Sequence, residues 1–315
     1  MQRLIEELFQ AAFVDVQPHD GAVLDISEDR IVMTTDSYVV WPLFFPGGNI
    51  GTLAVNGTVN DLAMCGAKPQ YLSVSFILEE GFSMETLWQV VQEMRAAADA
   101  VNVAIVTGDT KVVERGHGNG LYINTTGIGV LEQPHVIAPE QVKVGDAVIL
   151  SGDIGRHGMA VMGSREGLSF ESVIKSDCAP LSACVLDILG AGFTPHCMRD
   201  ATRGGVAAVL NEIAMASKLQ IDIRENAITI DEEVRGACEI LGFDPLHIAN
   251  EGCFLAFVAA EEQDKVLEIM LRHNPRAALI GTVMNNKPGL VTLETPIGGR
   301  RILDMPAGEI LPRIC

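Results

Sequence analysis

The sequence predicts an α/β protein with mixed sheets, built as two domains with a C-terminal tail. Its 315 residues are a usual length for two domains. Hydrophobic residues make up 48% of the chain but aromatic residues only 5%, so the core must consist mainly of Ala, Val, Ile and Leu. Strand-like and helix-like segments alternate along the chain, as helix-on-sheet layers require. We expect domains at 1–145 and 146–305 and a mobile tail at 306–315.

The first half predicts four strands and three helices in alternation. An amphipathic helix starts at Met1, and Ser83 is the predicted N-cap of a long helix whose apolar residues recur at helical spacing. The helix at 49–65 is introduced by two glycines and stopped by Gly66 and Pro69. The predicted strands lie at 30–36, 71–78, 103–107 and 121–130. The third of these is expected to end in the sequence GDTK (108–111).

The second half repeats the mixture. A glycine-rich turn at 199–205 opens a helix with an apolar face. Strands are predicted within 145–152 and 252–258, and a further helix is predicted at about 261–271. No short-period repeat or low-complexity segment interrupts this order.

Charge and cysteine usage exclude several function classes. A formal net charge of −19 repels a phosphate backbone and an anionic bilayer, so we expect neither nucleic acid nor membrane as a partner. No apolar run is long enough to span a bilayer. The seven cysteines are odd in number, scattered and without a C-x-x-C pair, which argues against disulfides and structural zinc. A cytoplasmic location is expected.

Three aspartates stand out in apolar surroundings or at the polar ends of elements: Asp36, Asp61 and Asp109. Carboxylates that converge from separate segments suit Mg²⁺, which could bridge them to phosphates. Lys111 lies next to one of them. The alternative is that each caps a helix or forms a turn, and this reading stays open.

Other nucleotide and metal signatures are weak. The sequence has neither a Walker A motif nor a G-x-G-x-x-G after a strand. Gly204 and Gly205 before a helix could offer N–H groups to a phosphate, although helix entry needs the same glycines. His117, His157 and His196 form no ligand-spaced pair, so we expect them at the surface or in turns.

The chain ends in a cysteine, Cys315, carried on a tail that contains two prolines. Ten extended residues reach up to about 33 Å. A thiol at that position suits a carrier arm that is loaded in one place and processed in another. An accidental terminal cysteine is the alternative.

These motifs together resemble the HypE family of hydrogenase maturation factors, over nearly the whole chain and in order. The family sits in a superfamily with aminoimidazole ribonucleotide synthetase, selenophosphate synthetase and thiamine-monophosphate kinase. The segments that carry the resemblance are TDSYVVWPLFFPGGNI (35–50), IVTGDTKVV (105–113), RDATRGGV (199–206), NEG (250–252) and PRIC (312–315).

The resemblance implies an ATP-dependent carbamoyl dehydratase that acts on its own C-terminal cysteine. A carbamoyl group would arrive from the carbamoyltransferase HypF, lose the elements of water to give a thiocyanate, and pass as cyanide to iron on the HypC–HypD complex during nickel–iron hydrogenase maturation. The implied fold is a two-domain one whose N-terminal domains bind ATP and form a homodimer.

The chemistry of this reaction suggests roles for individual residues. Phosphorylation of the amide oxygen is a task of positioning and charge neutralisation, followed by proton removal from the amide nitrogen. The candidate catalytic residues are Cys315 as carrier, Lys111 for charge stabilisation and Glu251 as general base, with a solvated glutamate in a turn as the alternative for Glu251. The implied ATP contacts are Asp36, Asp61, Asp109, Thr110 and Asn60, with Mg²⁺ held by the three aspartates.

Two alternatives and one departure remain. The chain could be another ATP-dependent enzyme of the superfamily, such as a selenophosphate synthetase, but it has no cysteine before Cys65. It could also be a non-catalytic carrier in metal-site assembly. Family members usually carry a glycine-rich segment with a histidine ahead of the first helix, and this sequence starts without one. This departure bears on ATP affinity and turnover and not on the expected fold.

Overall fold

The computed structural model describes residues 22–26, 29–166, 173–306 and 314–315. The helix predicted from Met1 therefore lies outside the described residues, as does most of the predicted tail. The two residues at the C-terminus are described and are placed against the body of the protein.

The first half forms a five-stranded sheet in the order β1-β2-β7-β5-β6. Strands β5 and β6 are parallel and the other pairings are antiparallel. The elements are β1 (Ala22–Ile26), β2 (Asp29–Tyr38), the short β3 (Phe44–Phe45) and β4 (Gly48–Asn49), α1 (Ile50–Met64), β5 (Lys68–Glu79), α2 (Met84–Ala100), β6 (Ala104–Val113) and β7 (Leu121–Leu131).

The second half forms a seven-stranded mixed sheet in the order β14-β13-β10-β12-β8-β11-β9. Its elements are β8 (Ala147–Leu150), α3 (Arg156–Arg165), α4 (Ser182–Gly190), β9 (Cys197–Asp200), α5 (Gly205–Ser217), β10 (Gln220–Arg224), α6 (Glu232–Leu241), β11 (Phe254–Val258), α7 (Gln263–His273), β12 (Ala278–Met284), β13 (Val291–Glu294) and β14 (Arg300–Ile302).

Helix α1 lies at the centre of the molecule. Asn49 caps it by accepting the N–H groups of Gly51 and Thr52, while the Thr52 hydroxyl accepts the N–H of Asn49. Nearly every residue of α1 is buried. The helix contacts β2 and β7 of the first sheet and also α4 and β9 of the second half, which explains why it is buried on nearly all sides.

The two halves share one apolar core. Tyr38 and Leu53 of the first half belong to the same cluster of buried side chains as Met159 and Val234 of the second half. Ile314, the penultimate residue, is also a member of this cluster and is only 5% exposed. The C-terminus is thus anchored at the junction of the two halves.

The predicted mixed α/β fold is confirmed, and most elements named from the sequence are present. Ser83 does cap α2, accepting the N–H of Thr86. One prediction was wrong: the sequence GDTK does not end a strand but lies inside β6. Gly108 makes this continuation possible, because a Cβ there would collide with the carbonyl oxygen of Val74 on β5.

None of the helices in the described ranges is long and apolar enough to cross a membrane.

Candidate active site at the docked C-terminus

The C-terminal cysteine is held at the junction by contacts to two separate elements. The His157 imidazole Nε2 lies 2.6 Å from the carbonyl oxygen of Ile314. The backbone N–H of Val39, just beyond β2, donates to a terminal oxygen of Cys315 at 3.2 Å. Together with the burial of the Ile314 side chain, these contacts fix the position of the terminal residue.

His157 is fully buried in the first turn of α3, whereas the sequence led us to expect a surface or turn histidine. Its Nδ1 lies 2.9 Å from the Ser176 hydroxyl, and the Phe45 ring packs edge-on against it at 5.4 Å between centroids. Burial lowers the pKa of His157, so the imidazole is neutral. Its partners come from distant parts of the chain, so local sequence gave no sign of this role.

Asp36 on β2 and Asp61 on α1 lie on facing elements. The hydroxyl of Thr34 donates to Asp61 Oδ2 at 2.9 Å, and the Ser37 N–H donates to Asp36 Oδ1 at 2.8 Å. Burial is the main cause of the raised pKa of Tyr38, and both aspartates raise it further. Both carboxylates are therefore close enough to Tyr38 to affect its pKa, and their binding of a metal stays a prediction.

Glu251 places a carboxyl group in the same region. Its side chain is buried, and within the part of the chain that the structure describes its Oε1 has no hydrogen-bond partner. Burial first, and then the charges of Asp200, Asp177 and Asp36, raise the pKa of Glu251 well above the usual value. A buried carboxylate with a raised pKa is a stronger base than a solvated one, which suits proton abstraction.

The loop that carries Glu251 is supported by Asp177. The Asp177 carboxylate accepts the N–H of Glu251 at 3.2 Å and the N–H of Gly252 at 3.0 Å. A Cβ on Gly252 would collide with the carbonyl oxygen of Asp177, so only glycine fits there. This contact explains the glycine of the NEG motif.

Arg203 brings a positive charge to the site. It lies in the turn before α5 and is exposed. Cys315 is the largest cause of the raised pKa of Arg203, with further contributions from Asp36, Glu251 and Asp61. The guanidinium therefore lies close enough to the docked terminus and to these carboxylates to be stabilised by their charges. The sequence motif at 199–206 contained this arginine, but sequence reasoning assigned it no role.

Asn60 connects α1 to the segment before α4. Its amide nitrogen donates to the carbonyl of Ala179 at 3.1 Å, and its oxygen accepts the N–H of Leu181 at 2.8 Å. These bonds fix the helix against the second half of the chain. The predicted contact of Asn60 with ATP stays a prediction.

The predicted residues on β6 lie apart from the others. Asp109, Thr110 and Lys111 are exposed on the edge strand β6. Lys111 Nζ lies 3.0 Å from the Asp109 carboxylate. The hydrogen bond from Lys111 is the main cause of the lowered pKa of Asp109. The paired residues across the sheet are Ser37, Asn124, Ser75 and Asp109.

That row of paired residues separates the predicted metal ligands. It spans three strand spacings, about 14 Å, between β2 and Asp109. Asp36 is paired with the buried Thr125, on the face that carries α1, whereas Asp109 shares the opposite face with Ser75. A single chain therefore does not bring Asp109 to Asp36. Among the described residues, no three His, Cys, Asp or Glu side chains lie close enough to hold a metal ion.

Two family models match the chain. Residues 18–131 match the N-terminal domain of AIR synthase related proteins, and residues 143–293 match the C-terminal domain. The chain is also 48% identical over 320 residues to the carbamoyl dehydratase HypE of Azotobacter vinelandii, covering 100% of this chain and 94% of the relative. Its identity to HypE of Escherichia coli K12 is 45%, covering 100% and 96%.

Solved structures show the same likeness. A HypE–HypF complex contains a chain that is 47% identical, with a TM-score of 0.91 and coverage of 96% of this chain and 99% of that one. A HypE structure in complex with ATP is 43% identical, with a TM-score of 0.89 and coverage of 100% and 96%. A thiamine monophosphate kinase of Aquifex aeolicus, 17% identical with a TM-score of 0.68 and coverage of 94% and 97%, shares the fold alone.

Proposed function

Because the chain belongs to the HypE family of carbamoyl dehydratases, we propose that it uses ATP to dehydrate an S-carbamoyl group on its own Cys315. The product is a thiocyanate on the same sulfur, and it supplies a cyanide ligand for nickel–iron hydrogenase maturation. The observation that carries this proposal is the docking of the C-terminus: Ile314 is buried, His157 and Val39 bind the terminal backbone, and the terminal residue faces Arg203.

The chemistry balances with ATP as the only co-reactant. The γ-phosphoryl group passes to the amide oxygen, two protons leave the amide nitrogen, and phosphate departs with that oxygen as the C≡N bond forms. We assign proton acceptance from the nitrogen to Glu251, because its carboxyl is buried, has a raised pKa, and has one oxygen without a hydrogen-bond partner among the described residues. We assign to Arg203, whose pKa Cys315 raises, the stabilisation of negative charge near the C-terminus.

Asp36 and Asp61 are suited to hold Mg²⁺ with the nucleotide. Magnesium usually takes one or two carboxylates and completes its shell with phosphate oxygens and water, so this pair fits such a site. When bound, the ion would neutralise charge on the phosphates. The hydrogen bond from Thr34 to Asp61 orients one of the two carboxylates toward the space beside Tyr38.

A second copy of the chain would bring the β6 residues to this site. The outer face of the first sheet carries exposed apolar side chains, among them Met33, Tyr71 and Ile77, and β6 adds exposed Ile105 and Val106. An uncovered apolar sheet face of this kind fits a homodimer interface. We infer that Asp109, Thr110 and Lys111 act across that interface on the partner's nucleotide and carbamoyl group.

Two further partners follow from the chemistry of the tail. A carbamoyltransferase of the HypF type would load the thiol, in keeping with the HypE–HypF complex known for a relative. A HypC–HypD type complex would accept the cyanide. Both steps need an undocked tail, whereas dehydration needs the docked one, and we expect the protein to act in the cytoplasm.

Intact-mass measurement tests the proposed function directly. The protein is incubated with carbamoyl phosphate, ATP and a HypF-type carbamoyltransferase, with Cys315→Ala as control. We expect the wild type to gain one carbamoyl group and then lose the mass of one water molecule, with both changes on the C-terminal peptide. A carbamoyl adduct that never loses water while ATP is present would instead identify a non-catalytic carrier.

A further inference from the structure

One buried imidazole touches both the C-terminal tail and the segment that precedes α4. His157 Nε2 lies 2.6 Å from the Ile314 carbonyl oxygen, and Nδ1 lies 2.9 Å from the Ser176 hydroxyl. The ring is completely buried. No step of the dehydration described above uses it, so its burial against the tail needs another explanation.

The partners fix the tautomer of His157. A carbonyl oxygen can only accept, so Nε2 must carry the proton and donate it to Ile314. Nδ1 then accepts from the Ser176 hydroxyl, whose oxygen in turn accepts the Cys178 N–H at 3.0 Å. The hydrogen bonds therefore run in one direction, from the segment at 176–178 through the imidazole to the tail.

The same segment supports the proposed general base. Asp177, which stands between Ser176 and Cys178, accepts the N–H groups of Glu251 and Gly252. Adjacent residues of one short segment thus hold the tail, through His157, and the loop of Glu251. A displacement of Ile314 would therefore reach the loop of Glu251 through only His157 and the segment at 176–178.

We propose that His157 is a positioning residue: it latches the tail with Cys315 in the inward position and sets that position relative to the Glu251 loop. The role rests on the proposed function, because only an enzyme that processes its own terminus needs a docked and an undocked state. The Val39 N–H and the buried Ile314 side chain also hold the tail, so loss of the imidazole weakens docking without abolishing it.

Exopeptidase digestion measures docking without any catalytic turnover. Carboxypeptidase needs a free, extended C-terminus, and cleavage of a transiently opened state tracks its population. The variants are His157→Leu, which removes both hydrogen bonds, and His157→Gln, whose amide nitrogen can replace the Nε2 donor. His196→Gln is the matched control, since His196 pairs with Asp146 away from the tail.

For His157→Leu we expect release of Cys315 to be about tenfold faster than for the wild type, the change that one lost buried hydrogen bond typically produces. His157→Gln should restore most of the protection, and His196→Gln should match the wild type. Equal release rates for His157→Leu and the wild type would overturn the latch. If His157→Leu does not fold, Ser176→Ala serves instead, with a smaller increase expected; no increase there would also overturn it.

A second measurement separates the latch from the proposed function. In the intact-mass assay, His157→Leu should accept the carbamoyl group at least as fast as the wild type, because loading needs the undocked tail, but should lose water several-fold more slowly. Unchanged water loss in His157→Leu would count against the positioning role. Absence of water loss in the wild type would contradict the proposed function, while the digestion result would still decide whether His157 holds the tail.

Discussion

Burial of the Glu251 carboxyl group has opposite consequences for the stability of the fold and for the basicity of the carboxylate. Removal from water and the neighbouring charges of Asp200, Asp177 and Asp36 raise its pKa, which makes the carboxylate a better base. The same burial makes the charged form costly in the folded state. The proposed catalytic role thus requires a residue that weakens the fold when it ionises.

Glu251→Gln should reveal this cost in the pH dependence of thermal stability. Because the folded-state pKa is raised, the native protein binds the proton more tightly, and wild-type stability falls as pH rises above the unfolded-state value near 4.5. Glutamine does not titrate. The difference in Tm between Glu251→Gln and the wild type should therefore shift in favour of Glu251→Gln as pH rises from about 4 to about 7.

The control for that comparison is Glu261→Gln, at an exposed carboxyl in the turn before α7. It should show no such growth of the Tm difference over the same pH range. A constant difference between Glu251→Gln and the wild type at every pH would mean that burial does not perturb Glu251 in the way described.

At the scale of elements, the site is assembled by close backbone approaches that the sequence marks with glycine. The Asp177 segment and the loop of Glu251 meet at Gly252, where there is no room for a Cβ. Strands β5 and β6 meet in the same way at Gly108. The first contact positions the proposed base, and the second keeps β6 continuous so that Lys111 stands on the outer edge.

Gly252→Ala should destabilise the protein by roughly 2 to 4 kcal/mol, because the new methyl group overlaps the Asp177 carbonyl and forces the two segments apart. Urea unfolding gives the measurement. Gly236→Ala is the matched control: it lies inside α6 with no atom within 4 Å of the added Cβ, and it should stabilise by about 0.5 to 1 kcal/mol. Equal stability for the two variants would contradict this account of Gly252.

Elements with a periodic apolar pattern or with clear start and stop signals could be predicted from the sequence. The apolar α1 with its flanking glycines, the Ser83 cap and the strand at 121–130 all match the structure closely. The sequence also marked Asp61, as a charge inside an apolar helix, and Asp36, at the polar end of a strand; that they bind Mg²⁺ stays a prediction.

The remaining parts of the site depend on contacts between distant segments. His157 was expected at the surface or in a turn because it forms no ligand-spaced pair with another histidine; its actual partners are 19 and 157 residues away. Arg203 is identified only by what faces it, namely the terminus and three carboxylates. The separation of Asp109 from Asp36 follows from strand order and register, which local pattern does not determine.

At the scale of the whole molecule, one chain holds only part of the proposed machinery. The docked terminus, Glu251 and the Asp36–Asp61 pair meet at the junction of the two halves, while Lys111 stands on the far edge and opposite face of the first sheet. The exposed apolar residues on that face offer a surface through which a second chain could complete the site.

Complementation between variants tests this arrangement. Lys111→Ala and Cys315→Ala should each be unable to produce the thiocyanate. If Lys111 acts on the partner's tail, co-expression of the two variants in equal amounts should restore activity at about a quarter of all sites. Half of the dimers are then mixed, and each mixed dimer has one complete site out of two. No recovery, with mixed dimers verified by mass, would place Lys111 and Cys315 of one chain in the same site.

The central claim is that ATP activates the oxygen of a carbamoyl group held on Cys315. The most direct test is to load Cys315 with a carbamoyl group that carries a heavy oxygen isotope, add ATP, and analyse the released phosphate by mass spectrometry. The account predicts one heavy oxygen atom in each phosphate and a thiocyanate on Cys315. Unlabelled phosphate, with the heavy oxygen retained on the tail or found in water, would contradict it.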